Sequence, residues 1–182
     1  MLHDKNESGK PKIGSVAGVC QENGSVENIY SDMELWAGNK VKWNNVGGIV
    51  GRFDGEGTFA SVKNCVFTGK IGSLDGGESN EGPSSVSTFV GGIVGSGQAK
   101  EGLIQNCLSL GSLLQKKKDG SMKGNTQKVG NQLTNVTQTN NLTEKKDAAF
   151  LESEAGKAYA EDWEYNDTLG FVVPKTISAM FQ

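Results

Sequence analysis

The chain has 182 residues, enough for one domain with its own core, and it contains 26 glycines but only 3 prolines. The formal net charge is -3 and Arg52 is the only arginine, which excludes a strongly basic nucleic-acid-binding protein. No stretch approaches the roughly 18 apolar residues of a membrane-spanning helix. We therefore expect no nucleic-acid partner and no membrane insertion of this segment.

Polarity and patterning divide the chain into three regions. Residues 1–12 are polar, lack the apolar segment of a signal peptide and predict a flexible tail. Residues 13–142 contain repeats and predict the body of the domain, while residues 143–182 change in character and predict a C-terminal cap.

A glycine-rich motif occurs three times within residues 13–142. The string Val46–Gly51 reappears as Val90–Gly95, and a diverged copy reads Val16–Cys20. An apolar-polar-Asn-apolar tetrad follows each copy, at Val26–Ile29, at Val62–Cys65 and at Ile104–Cys107. Repeats that keep both their motifs and the internal spacing predict stacked structural units.

The repeats have the composition of short β-strands separated by bends. Their β-branched residues are punctuated by glycine, and no 3.6-residue period is present. Stacked short strands predict an all-β fold, a right-handed parallel β-helix (β-solenoid) with up to two coils per repeat. Asparagines at one bend would stack into a hydrogen-bonded ladder made of Asn28, Asn64 and Asn106.

The three cysteines fall within the repeats. Cys20 is expected at the position of Val50 and Val94, and Cys65 and Cys107 at that of Ile29. Thiols at aliphatic positions predict small buried hydrophobic side chains. A Cys65–Cys107 disulfide is the alternative, disfavoured because side chains on neighbouring coils point in parallel.

The C-terminal part of the chain has different signals. Residues 129–142 contain a weak fourth unit, and Asp147–Ala155 predicts a short helix with Asp147 as its N-cap. A hairpin is expected from Trp163–Asp167 and Phe171–Pro174. We expect residues 143–182 to cover the unpaired edge of the last coil; a separate functional subdomain is the alternative.

The repeat resembles the GLUG motif of bacterial surface proteins. The resemblance covers Val46–Ile71 and Val90–Leu113, and more loosely Val16–Leu35, and the segment Trp163–Pro174 is similar to one that often closes such arrays. Proteins with this motif include gut-bacterial cell-surface proteins, filamentous adhesins and the accessory region of IgA-cleaving metallopeptidases. The resemblance implies an exported, extracellular or cell-surface β-helical module, a segment of a longer chain, and brings no catalytic residues.

Motifs for catalysis are absent from the sequence. It contains no phosphate-binding P-loop, no HExxH and no G-x-S-x-G, and its single histidine, His3, lies in the predicted tail. We therefore expect no enzyme, no cofactor and no metal site. The predicted function is a monomeric, non-catalytic structural or adhesion module with host or bacterial surface glycans or proteins as partners.

A carbohydrate-binding or polysaccharide-active β-helix is the alternative, and a cytosolic scaffold is the third and weakest reading. Aromatic faces beside polar groups are common in sugar sites. The candidate ligand-binding residues are Trp36, Trp43, Arg52, Asp54 and Glu56. If they bind sugar together, they must lie on one face.

Overall fold

The computed structural model describes residues 12–37, 43–73, 87–116, 122–124, 128–131 and 133–182. Its strands are β1 (Lys12–Ile13), β2 (Ala17–Cys20), β3 (Gly24–Glu27), β4 (Tyr30–Ser31), β5 (Glu34–Ala37), β6 (Trp43–Gly47), β7 (Val50–Lys63), β8 (Val66–Phe67), β9 (Lys70–Ser73), β10 (Ser87–Gly91), β11 (Val94–Gln105), β12 (Leu108–Ser109), β13 (Ser112–Lys116), β14 (Met122–Gly124), β15 (Leu133–Thr139), β16 (Trp163–Asn166) and β17 (Phe171–Pro174). The helices are α1 (Ala148–Glu152), α2 (Lys175–Ser178) and a 3₁₀ turn, Ala179–Phe181. The described chain is therefore mostly β, as predicted.

Most strands belong to four sheets that we number in the order in which the chain meets them. Sheet 1 contains β1, β6 and β10; sheet 2 contains β2, β3, β7, β11 and β15; sheet 3 contains β4, β8 and β12; sheet 4 contains β5, β9, β13 and β14. Every pairing within these sheets is parallel except that of β13 with β14.

Each repeat makes one pass through sheets 1 to 4. Equivalent residues of successive repeats are direct neighbours, as Val46 is of Val90 and Val62 is of Ile104. Each repeat thus visits every sheet in a single pass, which lies within the expectation of up to two coils per repeat. We call residues 12–37, 43–73, 87–116 and 128–142 the first, second, third and fourth pass.

The register corrects the alignment of the first repeat. Ile13 pairs with Val46 and Ala17 with Val50, so the diverged copy of the motif is Ile13–Gly18 rather than Val16–Cys20. Cys20 consequently pairs with Phe53 and does not take the position of Val50. The error arose because the segment between the motif and the asparagine differs in length from repeat to repeat. Lys12, predicted to lie in the flexible tail, is part of β1.

The weak fourth unit is confirmed. Gly130 forms a bridge with Val94, β15 pairs with β11, and Leu142 forms a bridge with Leu108. The fourth pass thus extends sheets 2 and 3 although its sequence has lost most of the repeat motif.

The core lies between the sheets and is filled by equivalent residues of successive passes. Val46, Ile49 and Val50 of the second pass are fully buried, and so are Ile93 and Val94 of the third. Phe53 and Phe67 are also fully buried and belong to the same cluster. Burying such side chains contributes about 1.5–3 kcal/mol each, so the stacked aliphatic columns are the main favourable term for folding.

Glycine is required in the motif because backbones approach closely there. A Cβ on Gly48 would overlap the carbonyl oxygen of Gly92 in the next pass and the ring of Phe67. A Cβ on Gly95 would overlap the backbone of Gly51 and Val46. The glycines therefore allow neighbouring backbones to approach closely, and they do not form a phosphate-binding loop.

The C-terminal segment packs along the side of the stack. Its buried residues Trp163, Phe171 and Ile177 form a second apolar cluster with Val66 and Leu108 of sheet 3. At the level of the first pass, the rings of Tyr30 and Phe181 meet edge to face with centroids 4.9 Å apart.

The predicted helix and hairpin are both present in this segment. Asp147 caps α1 by accepting a hydrogen bond from the backbone N–H of Phe150, and β16 pairs antiparallel with β17. The apolar contacts of this segment lie on the outer face of sheet 3. It also reaches the fourth pass, where Nδ2 of Asn140 donates to the carbonyl of Ala158 over 3.2 Å and Oη of Tyr159 donates to the carbonyl of Asn141 over 3.4 Å. Among the described residues β15 remains the edge strand of sheet 2.

Candidate functional site

The predicted asparagine ladder is present. The Nδ2 of Asn64 donates to Oδ1 of Asn28 over 3.2 Å, and Nδ2 of Asn106 donates to Oδ1 of Asn64 over 3.2 Å. All three asparagines have positive φ, between 51° and 59°. Asparagine tolerates this left-handed conformation better than most residues, so one residue type provides both the bend and the hydrogen bond to the next pass.

The C-terminal segment joins the ladder at its third rung. Nδ2 of Asn106 also donates to Oδ2 of Asp162 over 3.0 Å, and Nε1 of Trp163 lies 3.4 Å from Oδ1 of Asn106. Asn106 is only 5% exposed, so these bonds satisfy a side chain that is costly to bury unpaired. Asn140, the equivalent residue of the fourth pass, donates to the carbonyl of Ala158 instead.

Two of the five candidate ligand-binding residues lie together. Oδ1 of Asp54 lies 3.6 Å from Nε of Arg52, and Oδ2 accepts a hydrogen bond from Nζ of Lys12 over 2.8 Å. The Lys12 ammonium, with a smaller contribution from Arg52, holds the pKa of the Asp54 carboxyl below its ordinary value. Lys12 was not among the candidates, because the sequence placed it in the tail.

The other three candidates are not brought to this pair by the described structure. Trp36 is half-buried on β5 of sheet 4, whereas Arg52 and Asp54 lie on β7 of sheet 2. The side chains of Trp43 and Glu56 lie outside the described residues, although their backbones belong to β6 and β7. The grouping of all five on one face stays a prediction.

The cysteines are buried free thiols. Cys65 and Cys107 lie at equivalent positions of neighbouring passes and are fully buried. Each Sγ contacts the carbonyl two residues earlier in the chain, at 3.1 Å from Lys63 O and 3.2 Å from Gln105 O. Burial raises the pKa of the Cys107 thiol, which makes it a poor nucleophile and fits its role as a small apolar side chain.

One part of sheet 2 differs in length from pass to pass. The matched residues Cys20, Phe53, Gly97 and Leu133 precede it, and the matched residues Gly24, Ala60, Gly102 and Val136 follow it. The intervening residues are 21–23, 54–59, 98–101 and 134–135, which we call the variable column.

The variable column presents polar groups outside the core. Glu22, Asn23, Lys100, Glu101 and Asn135 are exposed in it. The sequence alone does not show the column, because its length differs between repeats and the first repeat keeps too little of the motif to fix the register. A surface that varies while its scaffold repeats is where binding residues are commonly carried.

Neither a metal site nor a membrane-spanning helix is found in the part of the chain that the structure describes. No group of three or more His, Cys, Asp or Glu side chains is arranged there to hold a metal ion. No described helix is long and apolar enough to cross a membrane.

Substituting Asn64 tests the ladder. Asn64→Ala removes two amide hydrogen bonds and places alanine in a left-handed bend, so we expect a loss of about 1–3 kcal/mol in the free energy of unfolding. Asn64→Gly removes the same hydrogen bonds but tolerates the bend, and should lose less. Urea denaturation of both variants measures the two losses, and changes below about 0.5 kcal/mol in both would show that Asn64 is an ordinary surface residue.

The Lys12–Asp54 pair gives a pH dependence of stability. Because the folded pKa of Asp54 lies below the unfolded one, its contribution is present above the unfolded pKa and is lost as the pH falls through the folded pKa. Asp54→Asn should therefore reduce the loss of stability between neutral and acidic pH, by less than about 1 kcal/mol because the pair is partly exposed.

Urea midpoints at neutral pH and in strong acid measure this difference for the native chain and for Asp54→Asn. Asp167→Asn is the matched control, because it also removes one carboxylate, is exposed and lies away from Lys12 and Arg52. If the urea midpoint of Asp54→Asn fell in acid by as much as that of the native chain, the pair would contribute nothing to folding stability.

Comparison of the chain with protein-family models, with curated proteins and with solved structures finds no match.

Proposed function

We propose that the chain is a right-handed parallel β-helix of GLUG-type repeats that acts as a non-catalytic structural and adhesion module of an exported bacterial cell-surface protein. One observation carries the proposal. The residues that recur in the sequence, the glycines, the aliphatic residues and the asparagines, contact their own equivalents in the next pass. The repeat is thus used for stacking, which is what an extended scaffold requires.

The sheet topology supports the solenoid. The first three passes go through sheets 1, 2, 3 and 4 in the same order, and the strands pair in parallel with matched register. Ion pairs also connect equivalent positions of the first two passes, Glu27 with Lys63 at 3.4 Å and Glu34 with Lys70 at 2.7 Å. A single mispaired residue would disrupt the hydrogen bonds, the apolar columns and these charges together.

The variable column is our proposed contact surface. Its described residues include exposed polar side chains, and its length changes from pass to pass while the strands on both sides stay paired in register. Lys100 and Glu101 are exposed neighbours there on β11. Binding spread over such a surface suits a glycan chain or a flat protein surface better than a small molecule, which binds in concave pockets.

Carbohydrate binding is the more specific form of this proposal. The Arg52–Asp54 pair favours it, because Asp54 belongs to the variable column and Arg52, two residues earlier on β7, forms an ion pair with it. Guanidinium and carboxylate groups offer the donors and acceptors that sugar hydroxyls require.

Removing the exposed charges of the variable column should weaken adhesion without affecting folding. We expect Lys100→Ala with Glu101→Ala to change the free energy of unfolding by less than about 0.5 kcal/mol, since both side chains are exposed. Binding to printed glycans and to immobilised extracellular-matrix proteins should fall at least several-fold.

The matched control is Glu154→Ala with Lys157→Ala, an exposed acid–base pair on the C-terminal segment at 2.5 Å. It removes the same two charges but should leave binding unchanged. Equal loss in both double variants would refute the variable column as the contact surface. An absence of binding by the native chain on both arrays would leave a spacer without adhesive function and would refute adhesion.

Export has its own test. An antibody raised against the folded chain should label intact cells of the producing organism. Labelling that appears only after lysis would contradict a cell-surface location and favour the cytosolic scaffold.

A further inference from the structure

We propose that two copies of this chain stack end to end, with the first pass of one copy pairing with the fourth pass of the other. The inference rests on the strand pairing observed within one chain and does not depend on adhesion. It departs from the monomer that the sequence predicted.

The backbone groups at the two ends are complementary. In the first three passes, the backbone N–H of the ladder asparagine donates to the carbonyl of the residue that precedes the asparagine of the next pass. The bonds run from Asn28 to Lys63 over 3.1 Å, from Asn64 to Gln105 over 3.0 Å and from Asn106 to Thr139 over 3.1 Å. By the same rule, the N–H of Asn140 faces outward from the fourth pass. Its acceptor would be the carbonyl of Glu27 in a second copy.

A second series of bonds runs in the opposite direction. The N–H groups of Val66, Leu108 and Leu142 donate to the previous pass, to Ile29 O, Cys65 O and Cys107 O, over 2.8 to 2.9 Å. The next members of this series are the N–H of Tyr30 at one end and the carbonyl of Asn141 at the other, which accepts a hydrogen bond from Oη of Tyr159 over 3.4 Å and has a second lone pair. Stacking two copies would bring these two groups together.

The ladder itself ends at Asn106, whose side chain bonds Asp162 and Trp163, but the equivalent Asn140 of the fourth pass offers an acceptor that matches a donor of the first pass. Among the described residues, Nδ2 of Asn28 has no hydrogen-bond partner, and Oδ1 of Asn140 accepts no hydrogen bond. Within the ladder each later asparagine donates its Nδ2 to Oδ1 of the earlier one. Asn28 of a second copy would take the next place after Asn140 and donate to it.

The side chains of β15 do not protect this edge. Its sequence, LTNVTQT, contains neither charge nor proline, whereas natural edge strands commonly use both to prevent pairing. Leu133 and Val136 are only partly buried, because no further pass of the described residues covers them. The register would place Cys20 and Gly24 of the second copy beside them.

A second copy fits this edge better than an unrelated strand does. Its first pass has the same repeat spacing, and no charge on β15 opposes Glu27. The contact joins different surfaces of the two copies, so it would form open chains of copies rather than a closed dimer.

Sedimentation velocity of the full chain tests the stacking. We expect the weight-average mass to rise from that of one copy at micromolar concentration to at least twofold higher at millimolar concentration. A constant mass of one copy over this range would overturn the proposal, whatever the result of the adhesion test.

Two variants that block opposite ends distinguish this geometry from other associations. Val26→Lys places a charge in the first pass and Val136→Lys in the fourth, at half-buried positions from which a lysine can reach solvent. Each variant alone should remain monomeric. An equimolar mixture of the two variants should form a one-to-one dimer through the two unblocked ends. Thr176→Lys, an exposed site on α2, should associate like the native chain.

Hydrogen exchange of the native chain gives a readout that does not depend on variants. Peptides covering 24–31 and 133–142 should both gain protection at high concentration. Protection of 133–142 alone would indicate that two β15 strands pair with each other, and would refute end-to-end stacking. A mixture of the two variants that remains monomeric would refute it as well.

Discussion

The structure depends on the in-register stacking of equivalent residues at the asparagine bend. At this bend the chain leaves sheet 2 and enters sheet 3, so the left-handed φ of Asn28, Asn64 and Asn106 sets the direction of both sheets. The amide ladder then fixes which residue of one pass meets which residue of the next. Glycine contacts, apolar columns and buried thiols all follow from that register.

The features that recur in the sequence were the predictable ones. The two intact motifs, Val46–Gly51 and Val90–Gly95, predicted strand pairing because identical spacing allows only one register. The ladder was predicted for a related reason, since asparagine is the third residue of every tetrad. Asp147 predicted its helix through ordinary N-capping chemistry.

The features that were missed depend on lengths and contacts that do not repeat. The first repeat was misaligned because Ile13–Gly18 keeps only the small and aliphatic character of the motif, and the variable column adds residues after it. The Lys12–Asp54 pair joins β1 to β7 across 42 positions of sequence, which no local pattern can show. The position of the C-terminal segment depended on the apolar outer face of sheet 3, where Val66 and Leu108 gave no sign of being covered on both faces.

The repeat and the candidate contact surface therefore have different roles. Residues that recur build the stack, and exposed residues between matched rungs, such as Lys100 and Glu101, are available for contact. This separation allows a surface to change without disturbing the hydrogen bonds that hold the passes together. It also explains why the glycine-rich motif, although prominent in the sequence, carries no candidate chemistry.

The register is tested most directly by nuclear Overhauser effects between side-chain amides in a chain labelled with ¹⁵N at asparagine. Cross-peaks are expected between the amide protons of Asn64 and Asn28, and between those of Asn106 and Asn64, with none between Asn28 and Asn106. Absence of both expected cross-peaks, or a cross-peak joining Asn28 directly to Asn106, would contradict the in-register stack.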